Sequence, residues 1–308
     1  MLKFANMFLA VIFIVGTAKV EAQSVLTNGL VAYYPFNGDV RDYSGYGNST
    51  PIGSVTFGRD RFGNANGSAV FFGTNFLGYP DAPQLHFVTN VTLSAWVCTT
   101  QYTADPTHLY GIVTKGMPNP NVGPQLGITT RSSQMVTLGE VNGLLQDIVS
   151  TQPVNDGNWR MLTFTVNSAS QLATLYVNGT DVSSTSYPGV TISNTSLLLI
   201  GLERTTNFFF VGNINDVRVY NRALSASEVQ QLYNYDIMPN ISNPRLSAGN
   251  FSFNFSAVSN LSYTVQQNTS LTTTNWIYCT NIIGAAGLYQ FIAPIASRPQ
   301  NFYRVKTP

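Results

Sequence analysis

Short strand-like segments separated by turn-forming residues run through almost the whole of this chain. Leu30–Phe36 is mainly apolar, and Val91–Cys98 alternates apolar with polar residues. Short runs of this kind, bounded by Gly, Asn, Asp or Pro, are typical of β-strands. Asn178-Gly179 follows the segment Leu172–Val177 and predicts a type I′ hairpin, because both central residues of that turn need positive φ. The pattern therefore predicts an all-β fold.

One short helix is expected near the end of the main β-region. Ser225 and Glu228 have the spacing of a capping box, in which each side chain bonds the other residue's amide. Val229, Leu232 and Tyr233 then form an apolar stripe at helical spacing. We predict one or two helical turns.

The domain organisation follows from these segments and from the breaks between them. We expect a β-domain over residues 23–236 and a proline-containing linker over 237–246. A small C-terminal β-domain is then expected over 247–308, with strands at Asn250–Phe255, Ser262–Gln267, Trp276–Cys279, Gly287–Ile292 and Asn301–Val305.

The N-terminus has the pattern of a signal peptide, which we place at residues 1–22. Lys3 precedes the apolar run Phe8–Val15, and Val20–Ala22 ends in a small residue suited to cleavage. The alternative is a membrane anchor, but the run is too short to cross about 30 Å of hydrocarbon. We therefore expect secretion to the cell exterior or surface, with no membrane span after cleavage.

Charge is scarce in this chain. Charged residues make up 9% of the sequence and the formal net charge is +1. Nucleic-acid binders use clustered Lys and Arg against phosphates, and disordered chains combine low hydrophobicity with high net charge. Neither pattern is present, so nucleic acid is excluded as a partner.

The acidic residues do not suggest a glycosidase. Acid–base glycoside hydrolysis needs two carboxylates about 5–9.5 Å apart, and no acidic pair lies on a predicted strand. The chain has four glutamates, which are Glu21, Glu140, Glu203 and Glu228. We therefore expect a protein that is not an enzyme.

Nucleophilic and zinc chemistry are equally unsupported. The chain has no Gly-x-Ser-x-Gly motif and two histidines, His86 and His108. These histidines and Cys98 lack a fourth ligand and any recognised zinc-site spacing. Cys98 and Cys279 either pair or remain free thiols, and two cysteines in so long a secreted chain favour free thiols.

An oxygen-rich loop at residues 37–48 is a candidate calcium site. It contains Asn37, Asp39, Asp42 and Asn48, together with glycines that let the chain curl. The alternative is a network of Asx turns, in which Asp42 and Asn48 bond their own backbone. Spacing alone favours the Asx turns.

Asp216 is a further candidate ligand, on a predicted strand beside Arg218. It either forms a salt bridge with Arg218 on one face of the strand or acts as a third acidic ligand for calcium.

Several motifs, in order, resemble the laminin-G-like jelly-roll family over Leu26–Asp236. They are Gly29–Phe36, Asp42–Asn48, Arg61–Asn64, Leu93–Val97, Asp156–Trp159, Leu175–Gly179 and Gly212–Leu224. The resemblance implies a concanavalin A-like sandwich of two antiparallel sheets. Its N- and C-terminal strands would be adjacent, which would bring the 37–48 loop near Asp216. It also implies glycan binding and a structural calcium ion.

The C-terminal region resembles a β-module of secreted proteins from bacteria such as Verrucomicrobia. The residues that carry this resemblance are Phe251–Phe255, Tyr263–Gln266, Leu271–Trp276 and Phe302–Val305. It implies no activity.

These observations favour a secreted, non-catalytic module that binds a glycan or a cell-surface polysaccharide. Aromatic rings stack on sugar faces, while amides and hydroxyls bond sugar hydroxyls. The candidate tyrosines, all expected in loops, are Tyr43, Tyr46, Tyr79, Tyr102 and Tyr110. The alternatives are a structural or adhesive surface protein that contacts other proteins, and a divergent polysaccharide hydrolase or lyase.

Overall fold

The computed structural model describes residues 26–48, 50–104, 107–118, 121–131, 134–141, 148–187, 193–203, 207–295 and 301–307. These residues form two compact units. The larger contains residues 26–60 and 64–233, and the smaller contains residues 61–63 and 234–307. The predicted signal peptide at 1–22 lies outside the described residues. No helix in the described part of the chain is long and apolar enough to cross a membrane.

The first sheet of the larger unit, sheet A, has eight antiparallel strands. Its order is β15-β14-β13-β6-β17-β4-β3, and β17 pairs with β4 through its first half and with β1 through its second. The strands are β1 (Leu30–Tyr34), β3 (Thr56–Gly58), β4 (Ser68–Phe72), β6 (Val91–Cys98), β13 (Arg160–Asn167), β14 (Leu172–Val177), β15 (Thr180–Ser186) and β17 (Val211–Tyr220).

The second sheet, sheet B, has seven antiparallel strands in the order β12-β11-β10-β7-β16-β5-β2. They are β2 (Ile52–Gly53), β5 (Leu77–Tyr79), β7 (Tyr110–Thr114), β10 (Pro124–Arg131), β11 (Gln134–Val141), β12 (Ile148–Pro153) and β16 (Leu198–Ile200). A 3-10 turn covers Pro83–Leu85, and a two-stranded ladder joins β8 (Met117–Pro118) to β9 (Asn121–Val122).

The core of the larger unit contains the inward faces of both sheets. Leu93 and Val97 of sheet A and Leu126 of sheet B are wholly buried in it. The sheets approach closely at Gly139, where an added Cβ would lie 2.5 Å from the ring of Phe164. The predicted all-β sandwich is therefore confirmed.

The local predictions for the hairpin and the helix are also confirmed. Asn178 and Gly179 have φ values of 51° and 80° and join β14 to β15. Helix α1 (Ala226–Asp236) begins with the expected capping box: the Glu228 amide donates to Ser225 Oγ, and the Ser225 amide donates to a Glu228 oxygen at 2.8 Å. The helix is about three turns long rather than one or two.

The smaller unit packs two three-stranded antiparallel sheets around an aromatic core, which includes Phe253, Phe255 and Tyr263. Sheet C has the order β18-β19-β22, and sheet D has the order β21-β20-β23. The strands are β18 (Ile241–Ser247), β19 (Asn250–Ala257), β20 (Ser262–Asn268), β21 (Ile277–Ile283), β22 (Gly287–Pro294) and β23 (Phe302–Lys306).

The prediction of a linker at 237–246 is wrong for most of that segment. Strand β18 occupies Ile241–Ser247 despite Pro244. Proline is tolerated here because β18 is an edge strand, and its pairing with β19 shifts register between Ser242 and Arg245. The two cysteines, Cys98 and Cys279, are free and partly buried.

Candidate functional site

The 37–48 loop is organised around the carboxylate of Asp42. Asp42 Oδ1 accepts from the backbone amides of Tyr33 and Ser44, at 3.0 and 2.9 Å. Asp42 Oδ2 accepts from the Ser44 hydroxyl at 2.8 Å, from the Asn48 amide at 3.0 Å and from Asn48 Nδ2 at 2.7 Å. Five protein donors therefore surround one carboxylate.

Asn48 connects this loop to its surroundings. The side chain is buried, and its Nδ2 also donates to the carbonyl of Val31 at 3.0 Å. The Gln84 side chain donates to Asn48 Oδ1. Asp42 and Asn48 thus come together as an Asx-turn network, the alternative that the spacing favoured.

The other two loop candidates point elsewhere. Asp39 accepts from the Arg41 guanidinium at 2.7 and 2.8 Å and from the Tyr43 hydroxyl at 3.0 Å, while Asn37 is exposed. Partial burial acts to raise the pKa of Asp39, but its hydrogen bonds with Arg41 outweigh this and lower the pKa.

Asp216 lies next to the loop, as the family resemblance implied. β1 pairs with β17, and the Tyr33 hydroxyl donates to Asp216 Oδ1 at 2.5 Å. Arg218 Nη2 is 3.5 Å from the same oxygen. Asp216 is buried and has a φ of 49°, at an irregularity in the pairing of β17 with β6.

In this arrangement the Asp42 carboxylate does not fit a calcium ion. A carboxylate has about four lone-pair positions, and the five donors on Asp42 leave none for a metal. Among the described residues, no three His, Cys, Asp or Glu side chains form a group that could hold a metal ion. The network of hydrogen bonds can hold the loop without one.

The five candidate tyrosines differ in exposure: three are exposed, one is half-buried and one is buried. Tyr43, Tyr46 and Tyr102 are 52%, 56% and 58% exposed, so their rings can reach a ligand. The prediction for Tyr79 is wrong because this residue lies in β5, fully buried, with its ring stacked 4.0 Å from Tyr34. Burial raises the pKa of Tyr79 far above its usual range, and its hydroxyl donates to the Val40 carbonyl. Tyr110 is half-buried at the start of β7 rather than in a loop.

An aromatic cluster forms where Tyr110 meets the segment before β17. The rings of His108 and Phe208 stack with centroids 3.7 Å apart, and Tyr110 meets Phe208 edge-on at 5.8 Å. All three side chains are half-buried, and the Tyr110 hydroxyl donates to Thr103 Oγ1 at 3.1 Å. Tyr102 directly precedes Thr103 in the chain and is exposed. We call His108, Tyr110, Phe208 and Tyr102 the aromatic cluster.

Hydrogen bonds hold the two segments of this cluster in place. Gln101 Nε2 donates to the Phe209 carbonyl at 3.1 Å, and Gln101 Oε1 accepts from the Val211 amide at 2.9 Å. The Thr129 hydroxyl donates to the His108 carbonyl at 2.8 Å. Such preorganisation reduces the entropy lost when a ligand binds.

The sequence patterns do not identify His108 and Phe208 as members of the candidate site. The run Phe208–Phe210 has the length of a short strand, and a lone histidine carries no pattern. The pairing of distant strands creates their contact, so no local signal could have identified it.

A separate charged group surrounds Lys115. This side chain is fully buried, and its ammonium donates to Asp81 Oδ1 at 2.6 Å and to the carbonyls of Ser196 and Asn194. Asp81 Oδ2 lies 2.6 Å from His86 Nε2. Burial acts to raise the pKa of Asp81, but hydrogen bonds with His86 and Lys115 outweigh it and lower the pKa.

Similar structures share this fold at low sequence identity. The binding domain of Paraclostridial Mosquitocidal Protein 1 is 21% identical, with a TM-score of 0.55 over 82% of this chain and 63% of that chain. This chain thus spans less than two thirds of that domain.

Two further neighbours were solved with ligands. Domain 4 of AbnA, an arabinanase from Geobacillus stearothermophilus in complex with arabinotriose, is 22% identical, with a TM-score of 0.50 over 66% of this chain and 98% of that one. The binding domain of botulinum neurotoxin DC in complex with SialylT is 13% identical, with a TM-score of 0.52 over 83% of this chain and 70% of that one.

Sequence comparison identifies the family. No curated protein sequence matches this chain. A laminin-G-like family model, described as the concanavalin A-like lectin/glucanases superfamily, matches residues 46–230, which is more than half of the sequence. The chain therefore belongs to the concanavalin A-like lectin/glucanases superfamily.

Proposed function

We propose that the larger unit is the carbohydrate-binding part of a secreted, non-catalytic protein, and that its glycan binds at the aromatic cluster. The observation that carries this proposal is the half-buried His108–Phe208 stack, with Tyr110 at its edge. A rigid aromatic surface is suited to the C–H face of a sugar ring.

Neutral hydrogen-bonding groups accompany these rings. Thr103 and Thr107 supply hydroxyls beside Tyr110 and His108, and Tyr102 adds an exposed phenol. Ligand sites combine apolar walls with a few placed polar groups. The arabinotriose and SialylT bound to two fold neighbours support a glycan as the ligand class.

A glycan array with the full chain tests this proposal, followed by calorimetry on the polysaccharides that bind. We expect binding that Tyr102→Ala weakens and that Tyr46→Ala leaves unchanged, since Tyr46 is equally exposed but belongs to the 37–48 loop. Binding lost with Tyr46→Ala instead would move the site to that loop. An array without hits, with flat calorimetry, would reject carbohydrate binding.

A structural or adhesive role is a second candidate, favoured by apolar side chains on two edge strands of the smaller unit. Tyr278 and Ile283 on β21 and Leu288 and Ile292 on β22 are each more than half exposed. Exposed apolar edges favour association with protein partners. Light scattering over a range of concentrations tests this role. Self-association would support an adhesive role, and a strict monomer would count against that role.

A further inference from the structure

The smaller unit contains a cleft of about 430 Å³ at one end of sheet D. Small-molecule sites typically have volumes of about 300–1,000 Å³. The cleft lies where β20 ends, and its walls come from sheet D, the 269–276 loop and the residue before β23. Its principal lining side chains are Gln267, Asn268, Ser270, Thr273, Asn275 and Ile277.

Gln267 is an unusual residue for its position in the strand. Tyr263 and Val265 are wholly buried on the core-facing side of β20, and Gln267 continues that row at the end of the strand. It is only half-buried and stands opposite Ile277, which is 55% exposed. An amide and an apolar side chain therefore share one wall of the cleft.

The loop around the cleft is held by Asn268, which is itself buried. Asn268 Nδ2 donates to the Thr273 carbonyl at 3.1 Å, and Asn268 Oδ1 accepts from the Ser270 amide at 3.2 Å. By contrast, the structure gives the side-chain amides of Gln267 and Asn275 no hydrogen-bond partner among the described residues. Asn268 thus positions the loop, and two amides remain available to a ligand.

The lining restricts the chemical class of that ligand. Every described side chain lining the cleft is neutral, so an ionic ligand would find no counter-charge there. Amides and hydroxyls both donate and accept hydrogen bonds, as sugar hydroxyls do. Ile277 offers an apolar contact for a C–H face.

We propose that this cleft is a second binding site, one that takes a neutral oligosaccharide independently of the aromatic cluster. Gln267 and Asn275 bond the sugar hydroxyls, and Ile277 packs against the ring. The site belongs to the smaller unit and does not depend on whether the larger unit binds a glycan.

The test uses the full chain and saturation-transfer NMR with four probes: cellotetraose, xylotetraose, maltotetraose and, as the charged probe, sialyllactose. We expect at least one neutral tetrasaccharide to bind. The double variant Gln267→Ala/Asn275→Ala should weaken that binding at least tenfold, because each of the two substitutions removes a hydrogen bond to the sugar. Asn275 is exposed, Gln267 is half-buried, and neither side chain bonds another described residue, so the melting temperature should be preserved.

Two controls separate this proposal from the function proposed above. Gln290→Ala removes an exposed amide on sheet C, outside the cleft, and should bind the neutral probe like the original protein. Tyr102→Ala should also retain that binding. No binding of any neutral probe at millimolar concentration, or equal binding by the double variant, would overturn the second site. Loss of the binding with Tyr102→Ala would assign it to the aromatic cluster and equally overturn it.

Discussion

The hydroxyl of Tyr33 lies 2.5 Å from a carboxylate oxygen of Asp216, although 183 residues separate the two in the sequence. The backbone amide of the same tyrosine donates to Asp42 at 3.0 Å. Tyr33 therefore bonds one carboxylate through its main chain and another through its side chain. This double contact fixes the 37–48 loop against β17.

Removing the Tyr33 hydroxyl should destabilise the larger unit. In Tyr33→Phe the buried Asp216 carboxylate loses a short hydrogen bond, and we expect the free energy of unfolding to fall by about 1–3 kcal/mol. Tyr43→Phe is the matched control, because its hydroxyl bonds the more exposed Asp39 and its loss should cost less than about 0.5 kcal/mol. Urea unfolding at pH 7 measures the free energy of unfolding of both variants. Equal losses would contradict a special contribution from the Tyr33–Asp216 hydrogen bond.

Chelation tests the calcium that the family resemblance implied. Because five protein donors occupy the Asp42 carboxylate, we expect EDTA to leave the melting temperature unchanged. The measurement is thermal unfolding of the calcium-saturated protein with and without EDTA. A decrease of several degrees on chelation would show that the loop binds calcium and rearranges to do so.

Lys115 should be among the residues most sensitive to substitution in the larger unit. Lys115→Met leaves the carbonyls of Ser196 and Asn194 and a carboxylate oxygen of Asp81 without their shared donor. We expect a loss of about 3 kcal/mol in the free energy of unfolding. Lys306→Met, at an exposed lysine on β23, should change it by less than about 0.5 kcal/mol. Similar losses in the two variants, measured by urea denaturation, would argue against this role.

Stability should decrease in acid, through carboxyls whose pKa is lowered on folding. Asp39, Asp81 and Glu228 all have such a pKa, each through hydrogen bonds that outweigh the effect of burial. Because the unfolded chain takes up these protons first, their stabilisation is complete above about pH 5 and is lost as pH falls through about 4 towards the folded pKa values. Chemical unfolding from pH 7 to 3 should therefore show a plateau and then a decrease. For Asp81→Asn the decrease should be smaller, and an unchanged profile would contradict the contribution of this residue.

Features coded by neighbouring residues could be predicted from the sequence. Strand β6 has the expected bounds at Val91–Cys98, and Asn178-Gly179 and the capping box at Ser225 have the expected geometry. Each depends on local conformation or on alternation along one segment. The sequence predicts such features correctly because no distant contact is needed to produce them.

Features that depend on how strands pair could not be predicted. Tyr79 is buried because β5 lies between β2 and β16, and nothing near it in the sequence reveals that placement. His108 and Phe208 meet because Gly111 on β7 forms an isolated β-bridge with Phe209. This pairing also joins residues that are far apart in the sequence. Of the four residues of the aromatic cluster, Tyr102 and Tyr110 were therefore predicted from the sequence. His108 and Phe208 could be identified only from the fold.

Glycan binding at the aromatic cluster can be measured by calorimetric titration with the polysaccharide that binds best on the array. The titration compares the full chain with its Phe208→Ala and Tyr102→Ala variants. We predict that each variant binds at least tenfold more weakly than the original protein, because stacking on the aromatic cluster supplies much of the affinity. Tyr102 is exposed, so its variant should keep the original melting temperature. Unchanged affinity in both variants would contradict the claim that this cluster binds the glycan.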